Sequence, residues 1–153
     1  MKFLLDYKLF EGLVQKRAGL IPYIIEDDIV KMLFFIPSDY AYGGDKFQIA
    51  KGRVDSNEEV ETAAVREASE ELGLKKENIK SVTLVSKEVL SGMSNYNYDF
   101  YLYVAEVNNK ENFDKFSDET GEVGWLTMEE YEKKGRKSQL EIVRKCYNKI
   151  INI

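Results

Sequence analysis

The chain has 153 residues, of which 44% are apolar, and we expect residues 1–153 to form one domain with a buried core. Its formal net charge of -5 at pH 7 excludes a broad contact with a nucleic-acid backbone, although it leaves room for a nucleotide held by a metal ion and a few basic side chains. The absence of histidine excludes His-based triads and His metal sites, so carboxylates, lysine, tyrosine or a metal must carry any catalysis. The single cysteine, Cys146, excludes an internal disulfide and fits the reducing cytoplasm, where we expect the protein to work.

The N-terminal half begins with an apolar run, residues 3–5, that is too short for a signal peptide or a membrane span. The remainder of that segment fits either a short helix or a strand, and we assign it no function. Residues 18–25 and 30–36 are apolar, β-branched runs that predict two strands. The acidic residues 26–28 separate them, which indicates a hairpin with a tight turn.

A loop at residues 38–46 carries Tyr40 and Tyr42 beside a glycine pair. Loops of this composition are mobile, so we consider Tyr42 a candidate for closing on a nucleotide base. The alternative is that both tyrosines lie on the surface of an ordinary loop.

Residues 47–50 predict a short strand, and residues 56–59 have the S-x-x-E spacing of a capping box that opens a helix. The apolar residues of that helix recur at helical spacing, which predicts one packed face. They are Val60, Ala64, Ala68 and Leu72.

Residues 52–74 fit a spaced pattern: a glycine, five residues, a glutamate, seven residues, then R-E-U-x-E-E-x-G-U with U apolar. The matching positions are Gly52, Glu58, Arg66, Glu67, Ala68, Glu70, Glu71, Gly73 and Leu74. Glu67, Glu70 and Glu71 lie at i, i+3 and i+4, where like charges destabilise a helix by roughly 0.2–0.5 kcal/mol per pair. A divalent cation would neutralise them, and ligands that are all oxygen favour Mg²⁺ or Mn²⁺. The alternative is a glutamate face exposed to solvent.

This pattern resembles the signature of the Nudix hydrolases. The resemblance implies a Nudix fold, an α/β/α sandwich with a mixed β-sheet, and hydrolysis of a pyrophosphate bond by metal-activated water. It also implies that the backbone carbonyl of Lys51 joins the three helix glutamates around the metal. Glu58 and Arg66 resemble the partners that orient these carboxylates, and the side chains of Lys51 and Arg53 are candidates for substrate binding.

Residues 79–90 and 96–107 predict two longer strands around a turn at residues 91–95. The second is apolar on both faces, as expected for a central strand. Tyr96 and Tyr98 stand at its mouth, where either could stack on a base, and the alternative is that they belong to the core.

The last part of the chain begins with a polar loop at residues 108–120 and a short strand at residues 122–126. Two further capping boxes, at residues 127–130 and 138–141, predict a short helix and a terminal one. Glu119 resembles the additional acid that Nudix enzymes supply from this region. It is a candidate general base, with the helix glutamates as the other candidates and an exposed loop acid as the alternative.

The flanks of the pattern suggest the substrate. They resemble dinucleoside polyphosphate hydrolases, although the tyrosine that marks those enzymes is expected near residues 90–92 and the nearest here is Tyr96. The alternatives are ADP-ribose or a nucleotide sugar, a nucleoside triphosphate or RNA 5′ end, and a nucleotide sensor without catalysis. We therefore expect a small nucleotide partner, with no membrane and no extended nucleic-acid surface.

Overall fold

The computed structural model describes residues 15–42, 44–91, 97–111, 113 and 116–153. Within these residues, six strands and three α-helices alternate along the chain. The strands are β1 (Lys16–Glu26), β2 (Ile29–Pro37), β3 (Ala50–Arg53), β4 (Ile79–Ser91), β5 (Asn97–Val107) and β6 (Thr120–Leu126). The helices are α1 (Val60–Leu72), α2 (Met128–Lys134) and α3 (Leu140–Ile151), and short 3₁₀ turns occupy Tyr40–Tyr42, Lys76–Asn78 and Lys137–Gln139.

The strands form one mixed sheet in the order β4-β5-β1-β2-β6, and β3 pairs with β1 as well. β1 runs parallel to β5 and antiparallel to β2 and β3. One helix covers one face, two cover the other, and each face carries its own apolar cluster. The predicted α/β/α sandwich with a mixed sheet is confirmed.

The first hairpin is confirmed too, because β1 and β2 pair antiparallel around a two-residue turn. Asp27 and Asp28 occupy that turn with φ angles of 51° and 64°. Two successive left-handed residues match the right-handed twist of the flanking strands, and aspartate tolerates this conformation better than most side chains.

Helix α1 packs on the sheet through the predicted stripe. Ala64, Ala68 and Leu72 are fully buried against β1, and Val60 packs at the edge of the same cluster. Alanines at these positions let the helix approach the sheet closely, which places its glutamates beside the end of β3. Gly73 ends the helix with a φ of 78°, a left-handed conformation that glycine adopts without strain.

The predicted strand at residues 47–50 is wrong in its bounds. β3 begins at Ala50 and continues through Arg53, so the strand includes the first glycine of the pattern. Phe47 and Gln48 instead form isolated bridges, Gln48 with β2 and Phe47 with the chain after α2. These outside contacts take the backbone groups that a longer β3 would need for pairing with β1.

Two of the three predicted capping boxes are also wrong. α1 begins at Val60 after Glu59, whose side chain makes no capping bond, because the chain at residues 55–58 turns with Asn57 at a φ of 66°. α3 begins without a side-chain cap, and Gln139 before it accepts a hydrogen bond from the backbone N–H of Ile49 instead. Only the box at residues 127–130 forms, with both reciprocal bonds present.

The two long strands after α1 pair antiparallel as predicted, and β6 begins two residues earlier than expected. Residues 92–96, which hold most of the predicted turn and Tyr96, lie outside the described residues, as does the N-terminal segment 1–14. Among the described residues every helix is too short or too polar to span a membrane.

Candidate active site

Arg66 is the centre of the polar network on α1. Its Nε donates to Oε2 of Glu58 at 2.9 Å, and its Nη1 donates to Glu67 at 2.9 Å and to Glu70 at 3.3 Å. Its Nη2 donates to the backbone carbonyl of Arg53 at 2.8 Å and to Oε1 of Glu58 at 3.1 Å. These bonds raise the pKa of Arg66 above its ordinary value, with Glu58 the largest cause. One guanidinium therefore ties the end of β3 to two glutamates of the helix.

Glu58 has the orienting position that the resemblance implies. Its carboxylate accepts two bonds from Arg66 and one from the backbone N–H of Asp55 at 3.0 Å, and these contacts lower its pKa. A charged, bidentate pair of this kind fixes the plane of the guanidinium. Through Arg66, Glu58 is connected to the carboxylates of Glu67 and Glu70.

We expect Glu58→Gln to lower kcat by about tenfold, at the weak end of the range for losing an orienting partner. The amide has one acceptor oxygen, so it can keep only one of the two bonds to Arg66. The measurement is kcat and the thermal midpoint of the same preparation. A loss as large as that of a helix glutamate, with the fold intact, would show that Glu58 acts directly.

The first glycine of the pattern is required by the position of Glu67. A Cβ added at Gly52 would overlap the carboxyl group of Glu67, whose side chain is only 12% exposed. The carboxylate thus lies directly against the backbone of β3, an approach that only glycine permits. Since the carbonyl of Lys51 immediately precedes this glycine, the predicted backbone ligand lies next to the same carboxylate.

Glu71 is the most buried acid of the pattern, with 8% of its surface exposed. Its Oε2 is buried without any hydrogen-bond partner. Burial raises its pKa first, and the neighbouring Glu67 raises it further by charge and by a shared hydrogen bond, while Lys51 acts in the opposite direction. Burial raises the pKa of Glu67 as well, against the effect of Arg66. The two acids therefore form a largely buried pair in which Arg66 is bound to Glu67 and one carboxylate oxygen of Glu71 has no partner.

This pair fits a divalent metal. An unpartnered carboxylate oxygen beside a second buried carboxylate offers hard oxygen ligands at a place where the ionised forms need a cation. Glu70 differs from this pair because its side chain is 52% exposed. Among the described residues, no three acidic side chains converge as a preformed cage. The structure therefore brings together Glu67 and Glu71 of the predicted ligands, with Glu70 beside them on the same helix.

The other predicted substrate residues are dispersed around this pair. Lys51 is largely buried, and burial followed by the charges of Arg17 and Arg136 lowers its pKa. Arg53 is exposed. Tyr98 is half-buried, and the guanidinium of Arg17 lies over its ring at 4.9 Å from the centroid. The ring also packs against the apolar cluster on the α2 and α3 face, so its proposed stacking on a base stays a prediction.

Tyr42 is 71% exposed in a 3₁₀ turn, where its backbone carbonyl accepts from Gln48 at 3.0 Å. It touches none of the acids of the pattern through a hydrogen bond in the described part of the chain. Its proposed closure on a base stays a prediction, and Tyr96 lies outside the described residues.

The loop before β6 is fastened to the end of α1. The N–H of Ser117 donates to the carbonyl of Glu70, and the hydroxyl of Thr120 donates to the carbonyl of Glu71, each at 2.7 Å. The carbonyl of Glu119 accepts from the N–H of Ser38 at 2.9 Å. The sequence alone does not indicate the Thr120 contact, because it depends on how the loop docks on the helix.

The side chain of Glu119 is exposed, and within the described residues its carboxylate makes no hydrogen bond or ion pair. Its backbone nevertheless stands between the two residues that hold the carbonyls of the helix glutamates. If it serves as the base, we expect Glu119→Gln to lower kcat by about 10²-fold or more with little change in substrate binding.

Glu122 is the control, since it is also exposed and lies three residues along the chain in β6. A near-normal kcat for Glu119→Gln beside a large loss for Glu122→Gln would show that Glu119 is the wrong choice of acid. A loss in neither variant would return the role of base to a helix glutamate.

A family model described as NUDIX domain matches residues 28–146. Among solved structures, a C. elegans Ap4A hydrolase binary complex is similar with a TM-score of 0.74 and 22% identity, over 92% of this chain and 100% of that chain. The NUDIX domain of Shewanella oneidensis NrtR complexed with ADP ribose is similar with a TM-score of 0.73 and 12% identity, over 97% of both chains. A Nudix hydrolase from M. smegmatis, RenU, is similar with a TM-score of 0.66 and 18% identity, over 88% of this chain and 87% of that chain. No curated protein sequence matches the chain. At these low identities, the TM-scores show a common fold.

Proposed function

Because the chain belongs to the Nudix hydrolase family, we propose that it cleaves a pyrophosphate bond in a nucleoside diphosphate linked to another group, with Mg²⁺ or Mn²⁺ as cofactor. A dinucleoside polyphosphate is the substrate we favour. The buried pair of Glu67 and Glu71, with one carboxylate oxygen unpartnered, is the observation that carries the proposal. Ionising both carboxyl groups of such a pair is unfavourable without a cation, and a bound cation stabilises the ionised form.

The metal would be held by Glu67, Glu70, Glu71 and the backbone carbonyl of Lys51. When bound, it supplies charge to the phosphate oxygens and lowers the pKa of a water molecule. Arg66 holds the carboxylates of Glu67 and Glu70 in place through the bonds described above. Gly52 lets Glu67 reach the backbone of β3. These residues prepare the site before substrate arrives, which lowers the reorganisation needed during the reaction.

The reaction requires one proton acceptor. Water adds to phosphorus, the bond to the bridging oxygen breaks, and a phosphate group leaves with the electron pair of that bond. The proton of the attacking water passes to a carboxylate, either a helix glutamate or Glu119. We favour a helix glutamate, because the helix holds it beside the proposed metal site, whereas the side chain of Glu119 is exposed on a loop.

Two substrate classes have support from the similar structures. The C. elegans protein is named an Ap4A hydrolase, and its likeness covers 92% of this chain, which together with the flanks of the pattern favours a dinucleoside polyphosphate. The NrtR domain was crystallised with ADP ribose, which keeps ADP-ribose and nucleotide sugars as the second candidate. Nucleoside triphosphates, RNA 5′ ends and binding without turnover are the remaining outcomes of the test.

The test is a substrate panel in the presence of Mg²⁺, with products separated by chromatography. The panel contains diadenosine polyphosphates of increasing length, ADP-ribose, nucleotide sugars, nucleoside triphosphates and a 5′-triphosphorylated RNA. We expect the highest kcat/KM for a diadenosine polyphosphate and its cleavage into two nucleotides. A preference for ADP-ribose would shift the assignment to the second class. Binding of these compounds without turnover by the wild-type chain would overturn the proposal of an enzyme.

A further inference from the structure

We propose that Thr120 is a positioning residue for the metal site. Its hydroxyl group holds the last turn of α1 and so fixes the direction of the glutamate carboxylates on that turn. This inference rests on the proposed function and deepens it, because it adds to the site a residue that lies outside the spaced pattern. Thr120 would act through Glu71, without touching the substrate or the metal ion.

The glutamates of the proposed metal site lie near the end of their helix. α1 ends at Leu72, so Glu70 and Glu71 belong to its last turn. The last four carbonyl groups of an α-helix have no partner within the helix, and helix ends fray. Fraying here would displace the carboxylates, and a displacement of about 1 Å can cost about 10²-fold in rate. The last turn of α1 therefore requires partners from another part of the chain.

Two kinds of contact satisfy the carbonyl groups at this helix end. The backbone N–H of Gly73 caps the helix by donating to a carbonyl that precedes the two glutamates. The carbonyls of the glutamates themselves accept from the loop before β6. The N–H of Ser117 donates to Glu70, and the hydroxyl of Thr120 donates to Glu71. The loop thus holds the backbone of the two residues whose side chains we assign to the metal.

The loop can hold the helix because it is itself a hydrogen-bonded turn. The N–H of Thr120 donates to the carbonyl three residues before it at 3.1 Å, which closes a turn over residues 117–120. Ser38 binds the turn from the other side. Its N–H donates to the carbonyl of Glu119 at 2.9 Å, and its hydroxyl donates to that of Asp118 at 2.7 Å. Since Ser38 directly follows β2, the sheet supports the turn that holds the helix.

The contact made by the threonine side chain is short and shielded from water. The hydroxyl oxygen of Thr120 lies 2.7 Å from the carbonyl oxygen of Glu71, and both residues are buried. A buried carbonyl that loses its partner is not rehydrated, so loss of the hydroxyl group would destabilise this part of the helix. Serine could make the same bond, whereas valine, which has the shape of threonine, could not.

The test compares Thr120→Val and Thr120→Ser with the wild type. The first measurement is the dissociation constant of Mg²⁺, obtained by calorimetry in the absence of substrate. We expect Thr120→Val to weaken Mg²⁺ binding by about tenfold, at the low end of the range for a residue that orients a metal ligand. Thr120→Ser should stay within about threefold of the wild type, which is less than the effect of losing one typical hydrogen bond.

Thr127→Val is the matched control. The hydroxyl of Thr127 caps α2 by accepting from the N–H of Glu130 at 3.2 Å, on the other face of the sheet from α1. The same substitution there also removes one hydrogen bond at a helix end, so it should lower the thermal midpoint to a comparable degree. We expect Mg²⁺ binding and kcat like the wild type in Thr127→Val. Weaker Mg²⁺ binding in both valine variants would indicate a general effect of lower stability and would overturn the inference.

Kinetic measurements distinguish this role from a displacement of Glu119, the neighbouring candidate base. The rate of diadenosine tetraphosphate hydrolysis is followed as Mg²⁺ is varied, which gives kcat and the half-saturating Mg²⁺ concentration. We expect Thr120→Val to raise that concentration by about tenfold and Thr120→Ser to restore it. A lower kcat with unchanged Mg²⁺ affinity would show that the substitution acts through Glu119, and would overturn the inference.

The binding measurement also separates this inference from the proposed function, because it needs no turnover. If the wild type turns over none of the panel but binds Mg²⁺ more tightly than Thr120→Val does, the proposed function fails and the positioning role stands. Equal Mg²⁺ binding by wild type and Thr120→Val would overturn the inference even in an active enzyme. An equal loss in Thr120→Val and Thr120→Ser would overturn it as well, since the hydroxyl group would then not be the cause.

Discussion

Glu71→Gln is expected to fold normally and to lose hydrolytic activity by about 10²-fold or more, because it removes a metal ligand where charge develops in the transition state. The side chain is 8% exposed, and glutamine has nearly the same shape, so the packing of α1 should persist. The measurement is kcat with Mg²⁺ at saturating substrate, together with the circular dichroism spectrum of the variant. Activity within a few-fold of wild type would contradict the role given to Glu71.

Glu61→Gln is the matched control on the same helix. Glu61 is exposed in the first turn of α1, away from the buried pair. Its loss costs at most about 1 kcal/mol of interaction with the helix dipole, with no effect on the metal. Normal kcat in Glu61→Gln beside the loss in Glu71→Gln would exclude a general effect of glutamate removal from this helix.

Glu71→Gln should also change how the stability of the protein depends on pH. Burial raises the pKa of Glu71 above the ordinary value of 4.5, so the folded protein holds this proton more tightly than the unfolded chain does. Its contribution to stability is complete below the unfolded pKa and is lost as the pH rises through the folded pKa. In metal-stripped protein, we therefore expect the thermal midpoint to fall with rising pH more steeply in wild type than in Glu71→Gln. Equal slopes in the two proteins would show that the pKa of Glu71 is the same in the folded and the unfolded protein.

Gly52→Ala has the second large effect, and we expect it to lower both activity and stability. A methyl group there would occupy the space of the Glu67 carboxyl group. Either the carboxylate moves away from the backbone of β3 or the helix shifts, and both displace a metal ligand. A displacement of about 1 Å at such a site can cost about 10²-fold in rate. The measurements are kcat and the free energy of unfolding from urea denaturation.

A double-mutant cycle with Glu67→Ala tests the cause of that loss of stability. Because Glu67→Ala removes the group with which the new methyl collides, Gly52→Ala should destabilise the wild type more than it destabilises the Glu67→Ala protein. Additive effects on unfolding would show that the strain arises from the backbone of β3 and not from the carboxyl contact.

The sequence was sufficient for the fold and for the family, because both could be predicted from local spacing. The helical repeat of Ala64, Ala68 and Leu72 correctly predicted the packed face, and the pattern from Gly52 to Leu74 matched the family. The bounds of β3 were not predictable in the same way. They depend on hydrogen bonds that Phe47 and Gln48 make with distant segments, which no local pattern reveals.

The different burial and contacts of the three helix glutamates could be seen only in the structure. Three acids at i, i+3 and i+4 look equivalent in the sequence, yet Glu71 is buried with one carboxylate oxygen unpartnered, while Glu70 is exposed. That difference follows from the docking of α1 on β1 and β3.

The most direct test of the central claim is the turnover of diadenosine tetraphosphate by metal-stripped protein as Mg²⁺ is added in steps. The buried carboxylate pair predicts no turnover above background in the chelated protein and a saturable rise with Mg²⁺, with adenine nucleotides as products. The same titration of Glu71→Gln should saturate at higher Mg²⁺ and at a much lower rate. Full turnover in the presence of excess chelator would contradict the metal-dependent mechanism.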